Sequence, residues 1–448
     1  MYLSIYKFYH KTIKKIYKKI NLVLVRYLVS YEMFNLLYYV FLLNIKKIKK
    51  IEPTNKTKKR VIVLNKSAGI DDLISSQQLN NKETSYYSLN RFFLMHIYMT
   101  IFRAYSVNDA KIKSLKEPER LKKKYIEFLI EFFSKLKVKF KFDAFVGFNF
   151  NYIAEKGLQI ASRELKIPFL LIYKEGIVTE LEKKYFLHVL KKKKEKFNGS
   201  KIAVYSNDIK KILVNSGYTK SNKVSVVGCS RLIYSFNYQN NSPKEQIVYY
   251  AIQNDRGLPN RFINKYGKKF FEDLKLKNPY NSKYNWNNLH YKTIKVLIKF
   301  AISNPQISII IKSKTGVKQN QKLLRNLPKN IKIYSDGAGH HLLKNSKVVI
   351  AWNTTSIFEG IAANRYILLP CFNLQKDRLK KSKQLILKLK KENYAYSEKD
   401  LYKQLNFFMK KKYNKNKLNN NYYSLRYYLG NADNNANIRL NNFLKKNI

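Results

Sequence analysis

A run of four small polar residues follows the apolar segment 348–351 and precedes a helix-like segment. The run comprises Asn353, Thr354, Thr355 and Ser356. The apolar segment is short and β-branched, which is typical of a buried parallel strand. Backbone N–H groups, hydroxyls and a helix dipole would therefore meet at this run. Such a junction suits an anionic ligand, for example a phosphate.

The same run has a structural alternative. Ser356 and Glu359 have the spacing of a capping box, in which both side chains only satisfy backbone N–H groups at the start of a helix. The spacing alone does not separate this alternative from a phosphate site.

Apolar runs alternate with segments of helical periodicity from residue 61 onward, which predicts βαβ units around parallel sheets. The polar stretch 237–245 interrupts this alternation. We therefore predict an α/β protein with two Rossmann-like domains whose parallel sheets face a central cleft, the expected ligand site. The predicted segments are a basic, amphipathic N-terminal segment 1–55, a first domain 56–238, a second domain 245–430 and a C-terminal tail 431–448.

The composition is strongly basic, with 88 Lys and Arg against 29 Asp and Glu and a formal charge of +59. Nucleic acid and anionic membranes are the usual partners of such a charge. Lys, Asn, Ile and Tyr are, however, abundant throughout, which indicates a coding bias first, attraction to a membrane second and nucleic acid last. Cys229 and Cys371 stand far apart without ligand neighbours, which predicts structural thiols and no metal site.

The N-terminal segment contains the apolar stretch 21–44, which Arg26 and Glu32 interrupt. Its longest charge-free part, 33–45, is too short to span a membrane. Basic flanks at 11–19 and 46–50 would suit a helix that lies on an anionic leaflet. A helix packed into the protein core is the alternative.

Several segments resemble GT-B glycosyltransferases, specifically the bacterial proteins that build surface polysaccharide or capsule, and more distantly CDP-glycerol glycerophosphotransferases. The similar segments follow one another in order over roughly residues 140–445, and they are 167–176, 224–231, 309–314, 340–359 and 429–439. The resemblance implies a GT-B-like fold, with the acceptor on the first domain and the nucleotide donor on the second. It also implies catalysis without a bound metal or cofactor, since the nucleotide-sugar is a substrate.

The resemblance assigns the donor diphosphate to matching positions. Arg231 stands in the Gly-x-x-Arg element of the family and would bind phosphate through two N–H groups, although an interdomain salt bridge is its alternative. Lys312 keeps the family's lysine, whereas the family's following His-Pro is replaced by Lys314-Thr315, and a solvated lysine is the alternative for both positions. The run 353–356 would contact the donor phosphates, and Glu359 the ribose.

The catalytic base is expected at Glu175, where the family commonly has a histidine before glycine. Burial would raise the pKa of the Glu175 carboxyl toward neutrality, whereas the neighbouring Lys174 would oppose this shift. The other candidates for the cleft are Asp71, Asp72, Lys174, Arg256 and His341.

The sequence thus predicts a cytoplasmic glycosyltransferase that can attach to the inner face of the cell membrane. It would transfer a sugar, or a sugar-phosphate-like group, from a nucleotide-activated donor to a glycan or lipid-linked acceptor of surface polysaccharide. A sugar-nucleotide 2-epimerase of the same fold is the first alternative, and it would need acidic and His residues in the cleft. A basic nucleic-acid-binding protein is the second alternative, although no nucleic-acid-binding motif is present.

Overall fold

The computed structural model describes most of the chain. The described residues are 20–21, 23–65, 67–77, 83–106, 109, 118–150, 152–176, 179–251, 286–313, 327–335, 339–352, 354–372, 388–414, 419, 421–430 and 433–448.

The first domain is built on a seven-stranded sheet. Its strands are β1 Ile45–Lys47, β2 Lys59–Leu64, β3 Thr84–Leu89, β4 Ala144–Gly147, β5 Phe169–Tyr173, β6 Lys201–Val204 and β7 Val224–Val226. The spatial order is β1-β3-β2-β4-β5-β6-β7, and every neighbouring pair is parallel except β1 with β3. The central strands β4 and β5 are buried along their whole length, as expected for parallel strands covered on both faces.

Helices cover both faces of this sheet. They are Phe34–Asn44, Ser67–Gln77, Arg91–Ile101, Pro118–Phe140, Ile153–Glu164, Glu180–Lys193, Asn207–Asn215 and the short Ile233–Phe236, with 3₁₀ turns at Lys49–Ile51, Ser221–Lys223 and Ser230–Leu232.

The second domain contains a six-stranded parallel sheet. Its strands are β8 Gln246–Tyr250, β9 Ser308–Lys312, β10 Ile331–Tyr334, β11 Val348–Ile350, β12 Tyr366–Pro370 and β13 Tyr394–Ala395, in the order β10-β9-β8-β11-β12-β13. Its helices are Trp286–Ser303, Thr355–Ala362, Glu398–Lys410 and Tyr422–Leu429, with 3₁₀ segments at Gly339–Lys344 and Lys391–Asn393. The predicted α/β architecture of two Rossmann-like domains, GT-B-like in layout, is confirmed.

Both ends of the chain belong to the first domain. Helix Ala436–Asn447, which lies in the predicted tail, packs Leu440 and Leu444 into one core cluster with Val61 of β2. At the other end, β1 joins the sheet and helix Phe34–Asn44 buries one face in the core. The core-helix alternative for the N-terminal segment is therefore the observed one for this helix. No helix within the described ranges is both long and apolar enough to cross a bilayer.

The two cysteines are buried free thiols, as predicted. Cys229 and Cys371 both lie in the hydrophobic core that contains the second sheet. Burial raises the pKa of both thiols, so the neutral form is favoured.

We expect Leu440→Ala to lower the free energy of unfolding by about 2–5 kcal/mol, because it would leave a cavity between the last helix and the first sheet. Leu440 is 1% exposed, whereas Ile438 on the same helix is 49% exposed. The matched control Ile438→Ala is therefore expected to change stability by about 0.5 kcal/mol or less. Denaturant unfolding of both variants tests this, and equal losses would show that the helix is not anchored through Leu440.

Candidate functional site

A buried ionic network connects the two domains. The guanidinium of Arg231 donates from Nη1 to Asp72 Oδ2 at 2.8 Å and to Tyr205 Oη at 2.6 Å. Its Nε lies 3.7 Å from Glu359 Oε1, which belongs to the second domain and is 13% exposed. The interdomain salt bridge that the sequence left open for Arg231 is thus present, while phosphate binding by this residue stays a prediction.

Each member of the network follows the carboxyl end of a strand. Asp72 lies on the helix after β2, Tyr205 directly follows β6, Arg231 follows β7, and Glu359 lies on the helix after β11. Parallel strands bring their carboxyl ends to one edge of a sheet, so both sheets direct these side chains into the same cleft. The sequence alternation of strand and helix therefore fixes where the network forms.

Local hydrogen bonds hold Arg231 in place before any ligand binds. Its backbone N–H donates to Asp72 Oδ1 at 3.0 Å, and the hydroxyls of Ser75 and Ser230 are 2.7 Å apart. The Tyr205 hydroxyl donates to Asp72 Oδ2 in turn. Because Asp72 is fully buried, its charge depends on these donors. Asp72 therefore serves to position Arg231.

The capping-box alternative for Ser356 and Glu359 is wrong. The helix begins at Thr355, one residue earlier than a capping box requires, and the N-cap Thr354 makes no side-chain capping bond. Ser356 therefore lies within the first turn, and Glu359 faces Arg231 from one turn further on. Burial raises the pKa of Glu359, although the Arg231 charge opposes the shift.

Asp71, one of the predicted cleft residues, is half-buried at the same place. Burial raises the pKa of its carboxyl, and the negative charge of Asp72 adds to this effect. The positive charges of Arg231, Lys50 and His341 act in the opposite direction. Asp71 and Glu359 are thus two carboxyls whose protonated forms are favoured on opposite sides of one cleft.

A pair of histidines from the second domain completes the cluster. The ring of His340 stacks on Tyr234 of the first domain at 4.9 Å between centroids, and it lies 4.1 Å from the ring of His341. Burial lowers the pKa of His340 to about 4, and the charges of His341, Arg231 and Lys50 add to the effect. At neutral pH the buried His340 is therefore uncharged and can accept or donate a hydrogen bond.

The predicted phosphate-binding residues lie at the ends of nearby strands. Lys312 ends β9, and Thr354 follows β11, with only β8 between these two strands. Two strand spacings amount to about 10 Å, which one diphosphate with a lysine side chain can bridge. Thr354, Thr355 and Ser356 are all half-buried. Lys314, Asn353 and Arg256, which the sequence also predicted, lie outside the described residues.

Glu175 lies at the carboxyl end of β5, but its surroundings do not meet the condition set for a base. Its side chain is 50% exposed, and Lys174 Nζ donates to its Oε1 at 2.5 Å. Both features favour the ionised carboxylate. The burial expected to raise the pKa of Glu175 is therefore absent, and its catalytic role remains an untested prediction.

Four residues of the cluster were not predicted as site residues. His340 adjoins the predicted His341, and Tyr234 follows Arg231 at a spacing of three residues. Tyr205 directly follows a strand, which is a signal that applies to many polar residues. Lys50 precedes the first predicted strand, so it carried no such signal.

No group of three or more His, Cys, Asp or Glu that could hold a metal occurs among the residues described above. The prediction of metal-independent chemistry was made from the sequence and is not tested by this observation.

No family model matches this chain, and no curated protein is similar to it in sequence. Among solved structures, it is similar to the UDP-GlcNAc 2-epimerase from Neisseria meningitidis bound to UDP-GlcNAc, at 12% identity and a TM-score of 0.44 over 88% of this chain and 100% of that chain. It is also similar to the glycotransferase of kitacinnamycin, at 10% identity and a TM-score of 0.42 over 88% and 99%. MurG of Acinetobacter baumannii gives 11% identity and a TM-score of 0.39 over 88% and 100%. These are loose likenesses of fold, and no residue role or reaction is carried over from them.

We expect Arg231→Met to destabilise the protein by about 3–5 kcal/mol, because the fully buried Asp72 would lose its cation. The double variant Arg231→Met with Asp72→Asn should recover most of this loss. A matched control is Arg439→Met, which breaks an Arg–Asp pair of the same 2.8 Å length nearer the surface and should cost about 1 kcal/mol. Denaturant unfolding compares the three, and a double variant no more stable than Arg231→Met would contradict the pairing.

Proposed function

We propose that this protein is a glycosyltransferase of surface-polysaccharide synthesis. It transfers a sugar, or a sugar-phosphate-like group, from a nucleotide-activated donor to a glycan or lipid-linked acceptor at the inner face of the cell membrane. The observation that carries the proposal is the meeting, in one interdomain cleft, of a hydroxyl-rich helix start on the second domain with acidic residues on the first.

The donor diphosphate is assigned to the second domain. Thr354, Thr355 and Ser356 offer hydroxyls and backbone N–H groups at a helix start whose N-cap side chain makes no capping bond. Lys312 supplies a positive charge within one diphosphate length. A leaving diphosphate gains negative charge in the transition state, so cations and helix N-termini around it stabilise that state.

Glu359 and Arg231 form the boundary between donor and acceptor. Their separation of 3.7 Å exceeds a hydrogen bond, so a ligand oxygen can replace either partner at small cost. Arg231 would then turn part of its guanidinium toward phosphate, while Glu359 accepts hydrogen bonds from the ribose hydroxyls. Donor binding would thereby exchange an interdomain contact for ligand contacts.

We assign the acceptor base to Asp71. Burial raises the pKa of its carboxyl toward the range in which a base can both hold and accept a proton at neutral pH. Glu175, the residue first predicted, is half exposed and paired with Lys174, which supports Asp71 over it.

Nucleotide binding is the first test. We expect one of UDP, CDP, GDP or CMP to stabilise the folded protein by about 2.7 kcal/mol at 100 times its Kd. Glu359→Ala should weaken that binding about 10–100-fold through loss of charged hydrogen bonds to the ribose. Glu398→Ala is the matched control, because Glu398 begins another helix of the second domain away from the cleft. Thermal shift and calorimetry measure both, and stabilisation by none of the four would remove the donor assignment.

Turnover separates the two candidate bases. With the sugar nucleotide that matches the bound nucleotide, Asp71→Asn should slow nucleotide release by about 10²–10⁴-fold and leave the thermal shift intact. Glu175→Gln should retain activity. Because the base must be ionised, the wild-type rate should fall as pH drops through a pKa above the ordinary aspartate value of 3.8. An unchanged rate in Asp71→Asn would return the role to Glu175 or to another group.

A sugar-nucleotide 2-epimerase is the second candidate, because the acidic and His residues that it requires are present. Asp71, Glu359 and His340 surround the cleft from both domains. Inversion at C2 needs one group to remove a proton and another to return one. Incubation with UDP-GlcNAc in D₂O distinguishes the reactions: a new C2 epimer with deuterium at C2 and no added acceptor identifies an epimerase.

A further inference from the structure

The N-terminal helices expose an unusual amount of apolar surface. Half of the large apolar side chains that are exposed in the described part of the chain, ten of twenty, lie between residues 20 and 43. They form what we call the N-terminal face, which consists of Ile20, Val23, Leu24, Tyr27, Tyr31, Met33, Leu36, Tyr39, Leu42 and Leu43. Exposed apolar surface concentrated in this way marks a site of interaction.

These helices cannot turn the N-terminal face inward, because their opposite side is already buried. Val25, Leu28, Leu37 and Phe41 pack into the core of the first domain. The Phe41 ring makes edge contacts with Phe93 and two further rings of that core. A surface helix of a soluble domain normally has a polar outer side, and helix Phe34–Asn44 instead has an outer side of Leu36, Tyr39, Leu42 and Leu43.

Lysines border this face. Lys46, Lys47, Lys49 and Lys50 follow directly after it and are exposed. From helix Pro118–Phe140, Lys139 Nζ donates to Asn35 Oδ1 at 3.0 Å and Lys135 Nζ lies 4.4 Å above the Phe34 ring. The acidic groups nearby are fewer, and Glu131 is paired with Lys135 at 2.8 Å. An apolar patch with a lysine border is complementary to the acyl chains and anionic headgroups of a bilayer.

The N-terminal face adjoins the edge of the sheet that opens into the cleft. The carbonyl of Asn44, at the end of the exposed helix, accepts a hydrogen bond from the Asn90 N–H at 2.9 Å. Asn90 directly follows the carboxyl end of β3, and β3 neighbours β2, after which Asp71 lies. Phe92, also exposed, continues the apolar surface at this edge.

We propose that the N-terminal face docks on an anionic lipid bilayer, with its apolar side chains among the headgroups and acyl chains and its lysines against the lipid charges. Three of its residues, Tyr27, Tyr31 and Tyr39, have the amphipathic character of side chains at a membrane interface. The lysine border favours lipid over a second copy of this chain, whose own face would carry the same charge. This inference deepens the proposed function by giving it a docking surface, but it does not depend on nucleotide binding.

Vesicle flotation tests the proposal on the full-length chain. Wild type should float with vesicles of phosphatidylcholine and phosphatidylglycerol, and much less with phosphatidylcholine alone. Val23→Glu with Leu36→Glu and Tyr39→Glu should reduce binding to the mixed vesicles at least about tenfold. The matched control carries the same change at three exposed apolar residues elsewhere, Tyr334, Ile302 and Phe407, and should bind like wild type.

Thermal melting confirms that both triple variants are folded, since all six positions are exposed. Equal flotation of the two triple variants would overturn the proposal, because the basic charge of the whole chain would then suffice. Equal binding of wild type to neutral and anionic vesicles would overturn the role of the lysine border. A wild-type dimer that the N-terminal triple variant converts to monomer, with no flotation, would identify a second copy as the occupant.

Discussion

The guanidinium of Arg231 is the interaction on which the architecture of the cleft depends. It neutralises Asp72 inside the first domain and reaches Glu359 of the second, so one cation serves both a buried carboxylate and the domain interface. The two contacts differ in strength, since the first is a hydrogen-bonded pair of 2.8 Å and the second a looser pair of 3.7 Å. The first domain can therefore keep its site intact while the second domain exchanges its contact for a ligand.

This arrangement also explains why the pKa values in the cleft move toward neutral groups. Taking Asp71, Glu359 and His340 out of water disfavours the charged form of each, which raises the pKa of the two carboxyls and lowers that of the imidazole. Arg231 remains charged because two carboxylates and a hydroxyl surround it. The cleft thus combines one fixed charge with several groups that can exchange protons, which is the combination that proton-transfer chemistry on an anionic substrate requires.

The sequence predicted the fold well where apolar strands were aliphatic, as in β5 and β11, and less well elsewhere. Strand β3, with the sequence Thr-Ser-Tyr-Tyr-Ser-Leu, was not predicted, because its hydroxyls conceal a segment in which Ser85 and Tyr86 are buried. Strand ends led correctly to Asp71, Arg231 and Glu359 as cleft residues. The 3.7 Å contact between Arg231 and Glu359 depends on how two domains are oriented, which no local pattern encodes. The same holds for the stacking of His340 on Tyr234.

The return of the last helix to the first domain has a consequence for how the protein is made. Leu440, Phe443 and Leu444 complete a core that also contains Val61 and Val146, so residues at opposite ends of the chain must meet. During synthesis the second domain can form on the ribosome, because all of its strands precede this helix. The first domain must wait for the final residues to emerge, with part of its sheet uncovered until then. Release of the finished chain is therefore the event that closes the fold.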